Sequence, residues 1–144
     1  MSAMLENFKK SDKIPKQCVC ATPKPDLIKG WGSEEWVYQY DDETNCQRIP
    51  VETVKILNFI KGKRLSLHQH MEKSEYFFIL SGLFYIEILD LTTQIHHSFY
   101  LKQGERIFVP RGLFHRMLCE ESGSILEIST LDKPSDSYRL IKGD

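Results

Sequence analysis

The chain is 144 residues long, carries a formal net charge of -1 and has 41% hydrophobic residues. This size and composition are typical of one globular domain with a sizeable core. A charge so close to zero argues against a nucleic-acid-binding or membrane surface, and no apolar run reaches the length of a membrane span. The segment Met1–Asn7 lacks the basic-then-apolar pattern of a secretion signal. We therefore expect a cytoplasmic protein with a small-molecule partner and no nucleic-acid or membrane partner.

Residues 1–30 are predicted to form an irregular N-terminal arm, and residues 31–144 a single β-domain. The arm contains Lys9-Lys10 and three prolines, and it shows no clear amphipathic period. An arm of this length next to a compact domain favours either exchange of the arms between two subunits or packing of the sheet of one subunit against that of the other. We therefore expect a homodimer.

From Glu35 onward, short β-prone segments alternate with turn residues. This alternation predicts an all-β sandwich or barrel with little helix. The polar segment Met71–Ser74 is predicted to be a turn. The predicted strands are residues 36–40, 53–60, 64–70, 76–80, 84–88, 95–101, 106–109, 115–120 and 124–130.

Two histidines and a glutamate are spaced so that one strand pair can aim them at the same point. His68 and His70 are two residues apart, and side chains on a strand alternate faces with period two. Both imidazoles therefore share one face. Glu75 follows the predicted turn, so a hairpin would set it beside them at the start of the returning strand. His96 and His97 are adjacent instead, and cannot chelate together on a regular strand.

A third histidine follows a bend in a later part of the chain. Gly104 precedes a β-prone run, and Pro110 has no amide hydrogen and should end a strand. Gly112 then permits a backbone conformation closed to other residues, which lets His115 enter the barrel on a new strand. Three imidazoles and one carboxylate suit a divalent transition metal ion such as Zn, Mn, Ni, Co or Fe. We predict that His68, His70, Glu75 and His115 bind one such ion.

These two stretches resemble the two sequence motifs of the cupin superfamily. The first motif is complete from Gly62 to Gly82, and the second is present from Gly104 to His115. The second ends at Cys119, where cupins usually have an asparagine that is not normally a metal ligand. The resemblance implies a double-stranded β-helix, or jelly-roll, barrel. It implies much less about function, since cupins include isomerases, epimerases, dioxygenases and binding proteins.

The flanking segments resemble, more loosely, the cupin domain of type II mannose-6-phosphate isomerases. Lys29–Glu35 is similar to the opening of that domain, and Asp136–Arg139 to an element after its barrel. Those isomerases commonly have glutamine where this chain has His68. The resemblance implies a metal-dependent isomerase of a sugar or sugar phosphate.

Such an isomerase moves a proton between adjacent carbons through an enediol, so it needs a base near the metal. Three polar residues of the flanking strands are candidates for this base: Glu127, Tyr138 and Glu35. Three basic residues are candidates for neutralising a phosphate: Lys63, Arg64 and Arg139. The predicted catalytic set is therefore Glu127, Tyr138 and Arg139.

Two other functions are compatible with the same barrel. A non-catalytic domain could bind a sugar or nucleotide sugar at the barrel mouth, against aromatic residues such as Trp31 and Trp36. An Fe(II) dioxygenase could use the same ligands, because sites of three histidines and one glutamate support oxygen chemistry. Metal content, oxygen consumption and sugar turnover distinguish the three.

Overall fold

A computed structural model of the protein describes residues 5–20, 27–39 and 49–144. Within these ranges the chain has twelve strands and two 3-10 turns, at Lys16–Cys18 and Pro134–Asp136. None of the helical segments described is long and apolar enough to cross a membrane. The strands are β1 (Lys9–Ser11), β2 (Leu27–Lys29), β3 (Gly32–Glu34), β4 (Thr53–Phe59), β5 (Leu67–Gln69), β6 (Glu75–Ile79), β7 (Leu83–Asp90), β8 (Ile95–Lys102), β9 (Arg106–Val109), β10 (Phe114–Glu121), β11 (Gly123–Ser129) and β12 (Tyr138–Ile141).

Two sheets enclose the interior of the molecule. The large sheet has the order β1-β8-β7-β10-β5-β12, and the small sheet has the order β4-β11-β6-β9. All pairs within them are antiparallel except β1 with β8. Strands β2 and β3 form a separate hairpin. The prediction of an all-β jelly-roll barrel is confirmed.

Alternating side chains of the two sheets fill the core. On β7 the inward positions Phe84, Ile86 and Ile88 are fully buried, while the intervening residues are partly exposed. Burying one such side chain stabilises the fold by roughly 1.5–3 kcal/mol. The core occupies one end of the barrel and leaves the other end to polar side chains.

Gly82, the last glycine of the first motif, is required by its surroundings. Its φ is 88°, a conformation that side chains other than glycine rarely adopt. A Cβ atom at this position would lie 2.6 Å from the carbonyl oxygen of Glu121. The turn between β6 and β7 can therefore pass close to the end of β10 only because residue 82 has no side chain.

The described part of the N-terminal segment packs on the barrel. Strand β1 pairs in parallel with β8, with Lys9 opposite Ile95. Leu5 and Phe8 cover an apolar cluster on the outer face of the large sheet, formed by Leu67, Leu89 and Phe114 with Leu140 and Ile141. The division of the chain at residue 30 stays a prediction, as does the homodimer.

The strand predicted for residues 36–40 is wrong over residues 36–39, and residue 40 lies outside the described residues. Here a side chain replaces a neighbouring strand as the hydrogen-bond partner of the backbone. The Arg106 guanidinium donates to the carbonyl oxygens of Trp36 and Val37, at 3.1 and 2.9 Å. Arg106 itself stacks on Phe78, with its guanidinium carbon 4.8 Å from the ring centroid.

Candidate functional site

A cavity of about 340 Å³ opens between the two sheets at the polar end of the barrel. Its wall contains most of the residues that the sequence analysis singled out. These are His68, His70, Glu75, His115, Glu127 and Arg139.

Strand pairing explains how distant histidines meet. His68 on β5 lies directly opposite His115 on β10, and their ring centroids are 4.6 Å apart. His70 directly follows β5 and faces the same way as His68, at 4.9 Å between ring centroids. Glu75 is the first residue of β6, after the turn that follows β5. The three histidines therefore converge, and Glu75 lies beside His70 and His115. Binding of one metal ion by all four side chains stays a prediction.

Each of the three imidazole rings is held by the main chain through its Nδ1 atom. A carbonyl oxygen can only accept a hydrogen bond, so each Nδ1 carries the proton and donates. In a neutral ring the Nε2 atom then has a free lone pair, as metal-binding histidines require. One ligand nitrogen from each ring lies within 4.8 Å of those of the other two. The Nδ1 contacts are His68 to the carbonyl of Ser66 (2.7 Å), His70 to that of Asp136 (2.7 Å) and His115 to that of Leu113 (2.9 Å).

The carboxylate of Glu75 faces two of these free nitrogens. Its Oε2 lies 2.9 Å from Nε2 of His115, and its Oε1 lies 3.4 Å from Nε2 of His70. Both Nε2 atoms carry no proton in neutral rings, so lone pairs face lone pairs. Accordingly, Glu75 Oε2 is buried and accepts no well-formed hydrogen bond from any described residue. A cation would satisfy this oxygen, and three nitrogens with one carboxylate oxygen fit a divalent transition ion.

The electrostatics of the cluster favour neutral His68 and ionised Glu75. Burial, reinforced by the charge of His115, lowers the pKa of His68 to about 4. Burial also acts to lower the pKa of His70, but hydrogen bonding and attraction to Glu75 outweigh it and raise the pKa above its usual value. Burial would raise the pKa of Glu75, but His115 and His70 hold it well below the usual range.

A buried lysine adjoins the predicted ligands. Lys73 is 4% exposed. Its Nζ lies 2.9 Å from Oε1 of Glu75 and 3.4 Å from carboxylate oxygens of both Glu127 and Asp132. Burial acts to lower the pKa of Lys73, but the charge of Glu75 and its hydrogen bond, together with the charges of Glu127 and Asp132, outweigh burial and raise the pKa. Lys73 belongs to the segment predicted as a turn, where a lysine is expected to be solvated. The sequence does contain one indication of this position: Lys73 and Glu75 are two residues apart, and on a strand such residues share a face.

Asp136 organises the loop between β5 and β6, and sequence reasoning gave it no role. Its carboxylate is buried and accepts the backbone N–H groups of Met71 (2.9 Å), Glu72 (3.1 Å) and Lys73 (3.1 Å). Its own carbonyl oxygen orients His70. Asp136 therefore fixes one predicted metal ligand and the backbone of the buried lysine together.

The predicted catalytic residues differ in placement. Glu127 is 4% exposed, lies on β11 and faces the cavity. Burial, with repulsion from Glu75, raises its pKa. Arg139 lies opposite His68 across the β5–β12 ladder and lines the cavity. Tyr138 lies opposite Gln69, is 49% exposed and does not line the cavity, so its position does not support a catalytic role.

The remaining candidates from the sequence lie elsewhere. Glu35 lines a groove beside Trp36 and Val51, away from the histidines. Lys63 and Arg64 line a separate groove beside β4. Of the three candidate bases, Glu127 alone faces the predicted ligands.

Comparison with known proteins gives one related sequence and many related folds. No protein-family model matches the chain. A stretch of 94 residues, 65% of the chain, is 31% identical to a mannose-1-phosphate guanylyltransferase from Sinorhizobium fredii (strain NBRC 101917 / NGR234). The match spans only 15% of the length of that curated relative.

Several solved structures share the fold at low sequence identity. One is dTDP-6-deoxy-D-glucose-3,5-epimerase from Legionella pneumophila in complex with dTDP-4-keto-L-rhamnose, with a TM-score of 0.71, 14% identity and coverage of 92% of this chain and 76% of that one. Another is the TDP-quinovose 3,4-ketoisomerase from Campylobacter jejuni, with a TM-score of 0.70, 12% identity and coverage of 87% and 94%. At this identity the likeness shows the jelly-roll fold.

Proposed function

We propose that this chain is a metal-dependent isomerase of a sugar that carries a phosphate or nucleoside-diphosphate group. The observation that carries the proposal is the set of three imidazoles, each with its Nε2 lone pair directed at a shared cavity, beside a buried carboxylate. The related sequence and folds support a sugar substrate, because the proteins compared with this chain are named for sugar phosphates and nucleotide sugars.

His68, His70, His115 and Glu75 would hold the ion. When bound, it would polarise the carbonyl and neighbouring hydroxyl oxygen of the substrate as a Lewis acid.

Glu127 is the proposed base. Its carboxylate oxygen takes the proton from the carbon beside the carbonyl and returns it to the former carbonyl carbon. The hydroxyl proton passes to the former carbonyl oxygen, so the carbonyl moves by one carbon, which is an aldose–ketose interconversion in a sugar phosphate and a ketone shift in a nucleoside-diphosphate ketosugar. Its raised pKa favours this double role, because a base that must also return the proton works best near the operating pH. Lys73 holds the Glu127 carboxylate in place at 3.4 Å.

Arg139 is the proposed contact for the anionic group of the substrate. Its side chain lines the cavity at an exposed position and forms no ion pair within the part of the chain that the structure describes. A guanidinium can bind two phosphate oxygens at once. This role requires a substrate whose charged end projects from the cavity while its carbonyl end reaches the histidines.

Deuterium exchange tests the reaction directly. The protein is loaded separately with Mn, Zn, Co and Ni and incubated in deuterated water with a panel of aldose phosphates, ketose phosphates and nucleoside-diphosphate ketosugars. We expect deuterium at the carbon beside the carbonyl, with exchange at least about a hundredfold slower in Glu127→Gln. Glu35→Gln is the matched control, because Glu35 lies outside the cavity, and it should exchange at the wild-type rate.

Other outcomes of this panel identify the alternatives. Sugar binding without exchange by any metal-loaded form would favour a non-catalytic sugar-binding domain. Oxygen consumption by the iron-loaded protein, without exchange, would favour a dioxygenase.

We also propose that two copies associate through the bare outer face of β4. Val54 and Ile56 point outward there and are 61% and 60% exposed, and Ile28 and Trp31 on the β2–β3 hairpin are also highly exposed. An apolar patch is complementary to itself, so a two-fold axis can bury it against its own copy. Sedimentation at micromolar concentration should give a dimer for the wild type and a monomer for Ile56→Asp. A wild-type monomer would refute the association.

A further inference from the structure

Lys73 and Lys55 are two neighbouring lysines that meet the same carboxylates in different ways. Both contact Glu127 and Asp132. Nζ of Lys73 lies 3.4 Å from an oxygen of each carboxylate, and Nζ of Lys55 lies 3.7 Å from Glu127 and closer than that to Asp132. Only Lys73 also contacts Glu75, at 2.9 Å. The Lys55 side chain is 35% exposed, and the Lys73 side chain is 4% exposed.

The two oxygens of Glu75 are therefore unlike. Oε1 accepts a hydrogen bond from the ammonium group of Lys73 and lies 3.4 Å from Nε2 of His70. Oε2 faces His115 at 2.9 Å and accepts no well-formed hydrogen bond from the described residues. An oxygen beside an ammonium group keeps a second lone pair but is the weaker ligand for a cation, so Oε2 is the oxygen that Glu75 offers a metal ion.

We propose that Lys73 is a positioning residue that limits Glu75 to one ligand oxygen, and so keeps a coordination position free for the substrate. This inference rests on the metal-binding part of the proposed function, but not on any particular reaction. It differs from the proposed roles of Glu127 and Arg139, because Lys73 acts through Glu75 rather than on the substrate.

The surroundings of Lys73 prevent it from releasing Glu75. Its ammonium group is enclosed by three carboxylates, and its own backbone N–H is fixed by the buried carboxylate of Asp136. A buried ion pair of this kind is costly to open, because the freed charges would be left without water or partner. While Lys73 is in place, its positive charge beside Oε1 disfavours the binding of a cation through that oxygen.

Removal of Lys73 has two effects on metal binding that act in the same direction. It frees Oε1, so that Glu75 can bind an ion through both oxygens. It also removes a buried positive charge beside the ligand set, and the repulsion between that charge and a bound cation disappears with it. The Lys73→Met variant should therefore bind a divalent ion more tightly than the wild type. Methionine is unbranched and adaptable, which suits it to the buried space.

Titration with Co²⁺ at fixed pH, followed by visible absorption, measures both affinity and coordination number. We expect Lys73→Met to bind Co²⁺ roughly tenfold more tightly, the scale of effect for a like charge removed at short range. Its absorption bands should weaken and shift, as they do when Co²⁺ gains a ligand. Lys55→Met is the matched control, since Lys55 meets the same two carboxylates but not Glu75, and it should keep the wild-type affinity and spectrum.

Lys73→Gln separates charge from hydrogen bonding, and it remains informative if Lys73→Met does not fold. The glutamine amide can still donate to Oε1, so we expect a tighter affinity with the wild-type spectrum. Wild-type or weaker Co²⁺ affinity in both Lys73 variants would overturn the inference while leaving the metal site intact. An unchanged spectrum in a folded Lys73→Met would overturn it as well. Failure of the wild type to bind Co²⁺ would overturn the inference and the proposed metal dependence together.

Discussion

The molecule contains two clusters of histidine and glutamate, one inside the barrel and one on the outer face of the large sheet. In the outer cluster, Nδ1 of His96 lies 2.9 Å from Nζ of Lys10, and Nε2 lies 3.2 Å from Oε1 of Glu87. Side chains thus occupy both ring nitrogens. In the inner cluster the main chain holds Nδ1 of each ring, and the three rings bring one ligand nitrogen each to within 4.8 Å of the others. What distinguishes the predicted ligands is therefore their convergence, and not the residue type.

The difference extends to the carboxylates. Glu87 forms an ion pair with Arg116 and is only partly buried, so water and a cationic partner both satisfy it. Glu75 is 2% exposed, and one of its oxygens has no well-formed hydrogen bond from the described residues. Lys73 pairs with the other oxygen of Glu75, so of these two carboxylates Glu75 alone has an oxygen, Oε2, that a further cation would satisfy. The adjacent His97 faces the interior and is 8% exposed, so His96 and His97 lie on opposite faces of the strand, as alternation predicted.

The largest expected effect is the loss of metal binding on removal of one inner imidazole. His115→Ala should bring the bound metal from one equivalent to almost none after dialysis, because the remaining ligands would lose the nitrogen nearest Glu75. Turnover should fall about a hundred- to a thousandfold, the usual loss for a missing charge-stabilising group. Elemental analysis is the measurement, with His96→Ala as the control. Equal metal loss in the two variants would erase the distinction between the clusters.

Asp136→Ala should weaken metal binding without removing any ligand. Loss of the carboxylate leaves backbone N–H groups of the β5–β6 loop unsatisfied, at about 1–3 kcal/mol each when buried, and releases the loop that carries Lys73. Metal affinity should fall about tenfold to a hundredfold, as for other residues that orient ligands. Urea unfolding and Co²⁺ titration measure the two effects.

The control for Asp136 is Asp90→Ala. Asp90 also accepts two backbone N–H groups, from Thr92 and Thr93, but in a turn away from the cavity. This variant should keep the wild-type metal affinity. If Asp136→Ala also kept it, Asp136 would have no role in positioning His70.

The metal-free protein should lose stability in acid through His68. Its pKa is about 4 in the folded protein, below the ordinary value of about 6.5 for an unfolded chain. Between these values the unfolded chain binds a proton that the folded protein does not, so stability falls as the pH falls from 6.5 to 4. The loss approaches about 3 kcal/mol, and no further loss comes from this residue below pH 4.

Urea unfolding of chelator-treated protein at several pH values checks this prediction. His68→Gln should reduce the slope between pH 4 and 6.5. Proton NMR of the ring should give a midpoint near 4 for His68 in the metal-free protein. A midpoint near 6.5 would contradict the effect of burial on this ring.

The smallest effect belongs to the outer cluster. Lys10→Met removes the ammonium group beside His96 on a solvent-accessible surface. Exposed ion pairs and their neighbours contribute about 0–1 kcal/mol, so the free energy of unfolding should change by less than about 1 kcal/mol. Metal content should not change. A larger loss would mean that β1 depends on this contact to remain paired with β8.

The sequence predicted that His68, His70 and Glu75 lie close together because their positions follow from local rules. Alternation on β5 sets His68 and His70 on one face, and a single turn brings Glu75 back to them. Asp136 escaped prediction because its role depends on contacts between segments about sixty residues apart, which no local pattern encodes. Lys73 escaped because a lysine in a polar turn is expected to be solvated, and its burial depends on carboxylates from distant strands. Tyr138 and Arg139 show the same limit, since alternation requires neighbours to face opposite sides, and only the register of β12 on β5 decides which one faces the cavity.

The anchoring of the three imidazole rings by main-chain carbonyls has a consequence for how this site tolerates change. A substitution replaces a side chain but leaves the carbonyl oxygen in place, so no replacement at Ser66 or Leu113 deletes the atom that orients His68 or His115. The residues at these two positions can therefore change while the imidazole rings keep their orientation. Asp136 is the exception, because its side chain fixes the loop on which its carbonyl contact with His70 depends. Substitutions should accordingly be tolerated at Ser66 and Leu113, and should impair the site at Asp136.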